Sequence, residues 1–406
     1  MEGPSHQLSQ QQLTIEKLVY GGEGLSRGPE GVVLMPYTLA GETVIADVGA
    51  QEKGVLRGQL VRVETPSVDR VEPRCPYFTV CGGCHYQHAS YAAQLAAKRA
   101  ILEETLLRFA KLTDPGPIDI VSGEPWQYRN RIQLHFEDGR MGYRAAGLRR
   151  VVGIDQCPIS SPKLNECIGK LAAMVKSPRW PNFLRTLELF TNEESVQLNV
   201  VETERPVAKR FFEWCADEIQ TLVMGPLNYA GFQVSKGSFF QVNRFLIDRL
   251  VEEVVGRESG GTALDLYAGV GLLTLPLARR FQRVIAVESG SGAVRDLEAN
   301  AGRSDLNEAQ MIEAATSTVD QFLLAFDEPC DLVVADPPRS GLGKLAVKRL
   351  IALAPQRIVM VACDPATMAR DLVPLLGAGY AIERLVMIDL FPHTYHIETV
   401  AKLKRI

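Results

Sequence analysis

The chain has 406 residues, of which 46% are hydrophobic and 23% charged, and its formal net charge is −4. These proportions describe a globular protein of two or three domains, with no low-complexity tract and no internal repeat. The small negative charge excludes attraction of the whole surface to nucleic acid, so any RNA or DNA contact must come from local patches.

The first residues, MEGPSHQLSQQQ, are polar and lack the apolar stretch of a secretory signal. The longest apolar run, around residues 262–278, is broken by Asp265, Gly269 and Gly271 and does not suit a membrane span. A cytoplasmic protein without membrane contact is expected, with a monomer as the default.

Residues 13–63 contain short alternating runs rich in β-branched residues, broken by GG, GP and AG turns. This pattern predicts a small closed β-barrel. The segment TPSVDRVEPRCPY reads as a linker. A helix is expected over residues 90–112, with Ser90 as its cap, an apolar stripe of Leu95, Leu102, Leu106 and Phe109, and TDPGP as its stop. Residues 121–229, with alternating stretches such as RIQLHF and SVQLNVVE, predict a mixed, largely β region. From about Phe239 the pattern changes: TALDLY, RVIAVE, DLVVAD and RIVMVA are apolar runs separated by helical patterns. That alternation predicts βαβ units around a mostly parallel, buried sheet.

Eight cysteines are too few and too scattered for a disulfide framework. Three of them stand close together in CPYFTVCGGC. Cys75, Cys81 and Cys84 can converge on one metal centre because Gly82 and Gly83 permit a tight turn. Four thiolates suit either zinc or an iron–sulfur cluster. Cys157, in the turn DQCPIS, is the candidate fourth ligand, ahead of Cys167, which lies in a helical pattern. A second local feature is basic. Residues 129–150 hold six arginines against Glu137 and Asp138, interleaved with Phe136 and Tyr143. Such a run is either a solvated strand pair or a nucleic-acid surface.

DLYAGVGLLTLPLA follows one expected strand and opens a helix. Gly269 and Gly271 let the backbone pass close to a ligand, and Glu288 ends the next strand, where a carboxylate can accept from both ribose hydroxyls. Thr274 stands where a dinucleotide fingerprint has its third glycine, so a ligand with a ribose but no pyrophosphate, such as S-adenosylmethionine, fits better. Asp336 and Cys363 end two further strands, and ligands of open α/β sheets bind outside these carboxyl ends.

At this point the chain resembles the RNA (uracil-C5)-methyltransferase family, in its iron–sulfur-containing branch, over nearly its whole length. EKLVYGGEGLSR with PYTLAGETV resembles a TRAM domain, an OB-like RNA-binding barrel. PSVDRVEPRCPYFTVCGGCHYQHASYAAQLAAKR resembles the iron–sulfur segment. GSFFQVN, DLYAGVG, ADPPRSGL, ACDPATMARDL and HIETVAKL resemble the catalytic motifs, in the family's order.

The resemblance implies an α/β, Rossmann-like S-adenosylmethionine-dependent methyltransferase domain. It joins an N-terminal TRAM barrel and a mixed, largely β central domain carrying the cysteine cluster. The implied boundaries are 1–68 for TRAM, 69–89 with 120–230 for the central domain, and 90–119 with 231–406 for the methyltransferase domain. Gln241, Tyr267, Glu288 and Asp336 match positions that bind S-adenosylmethionine. Cys363 matches the nucleophile, Glu398 the proton acceptor, and Cys75, Cys81, Cys84 and Cys157 the ligands of a [4Fe–4S] cluster. Leu272 and Ala315 replace polar residues of some members, and Asp364 replaces a frequent Asn.

The implied reaction methylates C5 of a uridine in RNA, 23S rRNA being favoured over tRNA. Thiolate addition to C6 turns C5 into a nucleophile, a case of covalent catalysis. The target base is expected to be flipped out of folded RNA, with the barrel and the arginine-rich run holding the strand. His393 and His396 are alternative bases on chemistry alone; the family match selects Glu398. An amino-methyltransferase built on the DPP segment is the rival enzyme, but Arg339 stands where its stacking aromatic belongs and Cys363 would have no task. A radical enzyme would need C-x3-C-x2-C, whereas the spacing here is five then two. A non-catalytic RNA-binding protein would not need both Cys363 and Glu398.

Overall fold

The computed structural model describes residues 9–52, 54–303 and 311–406; residues 1–8 of the expected barrel domain lie outside them. The chain forms two units. One comprises Met1–Glu104, Arg144–Val152 and Phe391–His396, the other Thr105–Tyr143, Gly153–Leu390 and Ile397–Ile406.

In the first unit, GVVLMP forms the strand Gly31–Pro36, whose alternation turns Val33 and Met35 inward. Six strands follow the order Ser9–Thr14, Thr43–Glu52, Val55–Thr65, Gly31–Pro36, Glu23–Gly28, Lys17–Val19. They enclose one core, including Leu13, Ile15, Val33, Met35, Val44 and Leu56. The sheet is barrel-like, and its two end strands are consecutive halves of one segment, the first pairing with Thr43–Glu52 and the second with Glu23–Gly28. Among the described residues, no ladder joins the end strands Ser9–Thr14 and Lys17–Val19. Only Ile15 and Glu16 connect them, and their N–H groups already donate to Glu42 O and Leu25 O.

The expected linker is anchored. Buried Glu42 accepts from Leu39 N (2.8 Å), Ser67 N (3.2 Å) and Arg70 Nη2 (2.7 Å), so a charge sealed from water is fully paired. The cysteine segment beyond it consists of turns. Within the same unit Gly82 N donates to Arg144 O (2.9 Å) and Ala146 N to Val80 O (3.1 Å), setting the arginine loop of residues 144–150 against Val80–Gly82.

The helix Tyr91–Ala110 starts at Ser90, whose Oγ accepts from Ala93 N (3.2 Å). Its buried face differs from the expected stripe. Leu102 and Leu106 are buried, but Phe109 is 56% exposed, and Gln94 and Lys98 are buried in its place. These two polar side chains have partners on the loop Phe391–His396, which no reading of apolar periodicity could supply.

In the second unit an eight-stranded sheet runs in the order Met311–Thr316, Phe281–Glu288, Gly260–Leu266, Leu332–Ala335, Arg357–Ala362, Glu398–Arg405, Tyr380–Ile388, Ile118–Val121. The four apolar runs form four adjacent strands of it, all parallel. Glu398–Arg405 is antiparallel to both neighbours, so its first residue lies at the same end of the sheet as the last residues of the parallel strands. The helices Thr274–Ala278, Ser291–Gly302, Val319–Ala325, Gly343–Leu353 and Pro365–Gly377 lie in the crossovers. The region expected to be largely β forms a second sheet containing Arg140–Arg144, Arg131–Glu137, Leu184–Thr191, Val196–Thr203 and Leu222–Val223, in that order. No helix among the described residues is long and apolar enough to cross a membrane.

Candidate active site

The chain leaves the strand Gly260–Leu266 toward one edge of the parallel sheet and returns through Leu332–Ala335 on its other side. Between these two strands lies the switch point where open α/β sheets bind ligands. Leu266 pairs with Ala335 and with Val287, which brings Tyr267, Asp336 and Glu288 to one level at the carboxyl ends. Tyr267 adopts φ +66°, a conformation that a tyrosine takes only where its surroundings impose it.

A cavity of about 300 Å³ lies here, lined among others by Tyr267, Glu288, Thr318, Asp320, Pro338 and Leu342. A smaller one of about 40 Å³ shares Tyr267 and is lined by Phe239, Gln241, Gly269, Leu272 and Asp336. All four residues expected to bind S-adenosylmethionine therefore line these two cavities. Glu288 is half-buried and accepts from Gly269 N (3.1 Å) and Gly290 N (2.7 Å), which fixes its carboxylate at the cavity wall. Leu272 lines the smaller cavity. Ala315 does not line the larger one, whose polar lining includes Ser317, Thr318 and Asp320.

Two anchors of this region escaped the sequence reading. Asp296, on the helix Ser291–Gly302, is buried and accepts from Ser235 N (2.7 Å), Ser235 Oγ (2.6 Å), Ser238 Oγ (2.7 Å) and Gln233 Nε2 (3.1 Å). It holds the approach to Phe239 and Gln241. Asp371, on the helix Pro365–Gly377, accepts from Leu342 N (2.7 Å) and so fixes the DPPRSGL loop. A Cβ on Gly341 would come within 2.4 Å of that carboxylate, which explains the glycine. Asp296 lies outside the quoted motifs and Asp371 near the end of ACDPATMARDL, and in both cases only the pairing partners reveal the role.

Cys363 follows the strand Arg357–Ala362 and precedes the helix Pro365–Gly377. Asp364 caps that helix, its Oδ1 accepting from Ala366 N and Thr367 N, both at 2.9 Å, with Pro365 at the first helical position. The departure from the family's frequent Asn therefore keeps a good cap. Ala362 pairs with Thr399, which places Glu398 beside the end of the cysteine's strand.

Burial, the charge of Glu398 and that of Asp336 push the Cys363 thiol up to about 11, opposed by Arg339. Burial raises Asp336 to about 6. Glu398, 6% exposed, is held well above the ordinary carboxylate range by burial and by Asp336. Each acid opposes the ionisation of its neighbours. Perturbed titratable groups converging beside a cavity mark a catalytic candidate.

The cysteine segment presents a different picture. All eight cysteines are thiols without a disulfide. Cys75, Cys81 and Cys84 belong to the first unit, Cys157 to the second. Gly83 N donates to Cys81 Sγ (3.4 Å), and Asn165 clamps the Cys157 turn through Cys157 N (2.8 Å) and Cys157 O (3.0 Å). Among the described residues, no group of three or more His, Cys, Asp or Glu stands arranged to hold a metal ion. Four thiols have the donor chemistry of an iron–sulfur cluster. Cys167 is a core thiol, fully buried and pushed up to about 12 by burial.

The arginine-rich run also needs correction. Arg131 is buried over the Phe190 ring at 4.2 Å and donates to Ser238 O (2.7 Å), so it supports the fold. Arg129 Nε donates to Arg131 O (2.9 Å). Arg140, Arg144, Arg149 and Arg150 remain exposed.

A Rossmann-like sheet with a glycine loop and a cavity lined by Glu288 at its switch point is the architecture of an enzyme that binds a nucleotide-type cofactor. Residues 220–406 match the family model described as tRNA (Uracil-5-)-methyltransferase. An uncharacterized RNA methyltransferase of Aquifex aeolicus is 32% identical, over 97% of this chain and 98% of its own. A 23S rRNA (uracil(1939)-C(5))-methyltransferase of Shewanella amazonensis is also 32% identical, over 96% of this chain and 94% of its own. The solved tRNA (uracil-54, C5)-methyltransferase of Pyrococcus abyssi, in complex with S-adenosyl-L-homocysteine, superposes with a TM-score of 0.73. It is 26% identical and covers 97% of this chain and all of its own. The chain belongs to the RNA (uracil-C5)-methyltransferase family, and it is an enzyme that uses S-adenosylmethionine.

Proposed function

We propose that the protein methylates C5 of a uridine in 23S rRNA through a covalent bond between Cys363 and C6. The observation that carries this reading is the position of Asp336. It lines the smaller cavity, and its charge acts on both Cys363 and Glu398, so the cofactor wall, the thiol and the buried acid form one electrostatic unit. S-adenosylmethionine supplies the electrophilic methyl group.

Cys363, once deprotonated, adds to C6, and the electron pair displaced onto the ring makes C5 nucleophilic. C5 takes the methyl group, leaving S-adenosylhomocysteine. Glu398 then accepts the C5 proton, the C5–C6 double bond re-forms and the Cys363 thiolate leaves. Gln241, Tyr267 and Glu288 would orient the methyl donor.

The division into barrel, central and methyltransferase domains belongs to the same reading, as does RNA contact by the barrel and by Arg144, Arg149 and Arg150. The preference for rRNA over tRNA follows the 23S rRNA enzyme among the relatives, similar over nearly the whole chain. Cys75, Cys81, Cys84 and Cys157 would hold a [4Fe–4S] cluster, with zinc as the lesser alternative.

The test is incubation with S-adenosylmethionine and RNA containing 5-fluorouridine, whose fluorine cannot leave as a proton. A protein–RNA adduct stable to denaturation, absent in Cys363→Ala, is expected. Methyl transfer to C5 of unsubstituted RNA without any trapped adduct would overturn the mechanism. Faster methylation of tRNA transcripts than of 23S rRNA fragments would overturn the substrate preference.

A further inference from the structure

The loop Phe391–His396 runs between the strands Tyr380–Ile388 and Glu398–Arg405 of the catalytic sheet, yet it packs with the first unit. Its centre is His393, at φ +65°, a backbone conformation that a histidine holds only under constraint. The constraint is visible. His393 N donates to Gln94 Oε1 (2.9 Å), and Gln94 Nε2 lies 3.2 Å from His393 Nδ1 and donates to Ala89 O (3.0 Å). His393 O accepts from His85 N (2.7 Å) and Tyr86 N (3.0 Å), and Lys98 Nζ donates to Phe391 O (2.9 Å).

Gln94, Lys98 and His393 are 1%, 0% and 3% exposed. A buried amide and a buried ammonium on one helix face are costly unless they are paired, and both hydrogen-bond to this loop. Cys84 immediately precedes His85, so the cysteine segment grips the same backbone. Glu398 is five residues beyond His393 and is the first residue of its strand.

We propose that Gln94 is a positioning residue for Glu398: by fixing the left-handed turn at His393 it sets where the strand bearing the proton acceptor begins. The proposal rests on the Cys363–Glu398 reading above. It concerns only the last step, in which the C5 proton leaves and the thiolate is eliminated. Addition of Cys363 and methyl transfer precede that step and do not need Glu398 as a base. Misplacing Glu398 should therefore stall the enzyme after methyl transfer, as a methylated covalent adduct.

The test uses ordinary RNA, radiolabelled at the methyl group of S-adenosylmethionine, in single turnover with the full-length protein. In Gln94→Leu, methyl transfer is expected to stay within about threefold of wild type, while methylated adduct accumulates at least tenfold and product release slows to match. Gln94→Glu keeps the acceptor for His393 N but loses the amide donor, so it should restore product release in part. It also serves if Gln94→Leu does not fold.

A merely structural role would lower methyl transfer and product together, without adduct, and that result overturns the proposal. So does a Gln94→Glu variant that behaves as wild type in every phase. Wild-type enzyme with 5-fluorouridine RNA separates the two readings. No trapped adduct there overturns the Cys363 mechanism and this role with it. A trapped adduct in wild type with no accumulation in the Gln94 variants overturns this role alone.

Discussion

Two groups of cysteines are held in opposite ways. Cys363 lies between a parallel strand and a capped helix, its level fixed by the ladder to neighbouring strands. Cys75, Cys81 and Cys84 lie on turns, held by isolated backbone bonds such as Cys81 N to Tyr77 O (2.8 Å) and by the contact of Gly82 with residues 144–146. A group that must meet a reacting carbon within a few tenths of an ångström gains from rigid elements. Ligands that a metal itself draws together can start from a looser scaffold.

The sharpest way to break this comparison is Cys363→Ala. Loss of a covalent nucleophile is expected to lower kcat by about 10⁴-fold or more, measured by methyl incorporation into RNA, with RNA affinity little changed. A residual rate within tenfold of wild type would remove Cys363 from the mechanism and place it among the core thiols.

Glu398→Gln should cost about 10²–10⁴-fold in turnover, the usual contribution of a positioned base. It should also have an effect of opposite sign. The Glu398 charge helps hold the Cys363 thiol up near 11, so its removal should lower that value and speed alkylation of Cys363 by iodoacetamide at pH 9–10 several-fold. Slower alkylation in the variant would show that burial alone controls the thiol.

Asp265 tests how far the second unit trades stability for its site. It is fully buried at the end of its strand, and burial raises it from 3.8 to about 7, opposed by the Thr274 hydroxyl and reinforced by Asp336 and Glu288. Its folded value lies above its ordinary one, so the folded protein keeps this proton longer than the unfolded chain. Stability from this group is then complete below about pH 4, declines as pH rises toward 7, and stays lower above. Asp265→Asn, which can still accept from Thr274, should match wild type near pH 4 and exceed it at pH 8 by on the order of 2 kcal/mol in chemical denaturation. Equal stability at pH 8 would mean that the carboxylate is solvated or paired in solution.

The sequence made the parallel strands and most of the candidate site legible because each depends on local signals. Apolar runs closed by DLY, VE, ADPP and ACDP announce buried strands whose ends carry polar residues, and a parallel sheet aligns those ends. The barrel-like sheet was legible as alternation, but not the step at Ile15 and Glu16, whose hydrogen bonds pass the chain from one edge partner to the other. Asp296, Asp371 and Gln94 were invisible for a common reason. Each is an ordinary polar residue on a helix, and only its partners, between 29 and 299 positions away, reveal what it holds. Phe109 misled in the reverse sense: a helical stripe of apolar residues extends past the point where the core stops.

The smallest effects compare the two scaffolds through a single methyl group. Alanine for glycine stabilises by limiting the unfolded chain where the native backbone permits it. Gly169, inside the helix Pro162–Met174, has nothing within 4 Å of an added Cβ, so Gly169→Ala should stabilise by about 1 kcal/mol. At Gly82 the same methyl would meet Arg144 O at 3.2 Å, Ala146 Cα at 3.3 Å and Ala145 C at 3.4 Å. All three are backbone atoms, which cannot turn aside as a side-chain tip would. Gly82→Ala should therefore destabilise by about 1 kcal/mol and weaken RNA binding, because the displaced strand carries Arg144 and leads to Arg149 and Arg150. Denaturation midpoints and the salt dependence of RNA binding would measure both. If Gly82→Ala instead stabilised the protein, the cysteine segment would be loose enough to absorb a methyl group, and the arginine loop would not depend on it for its shape.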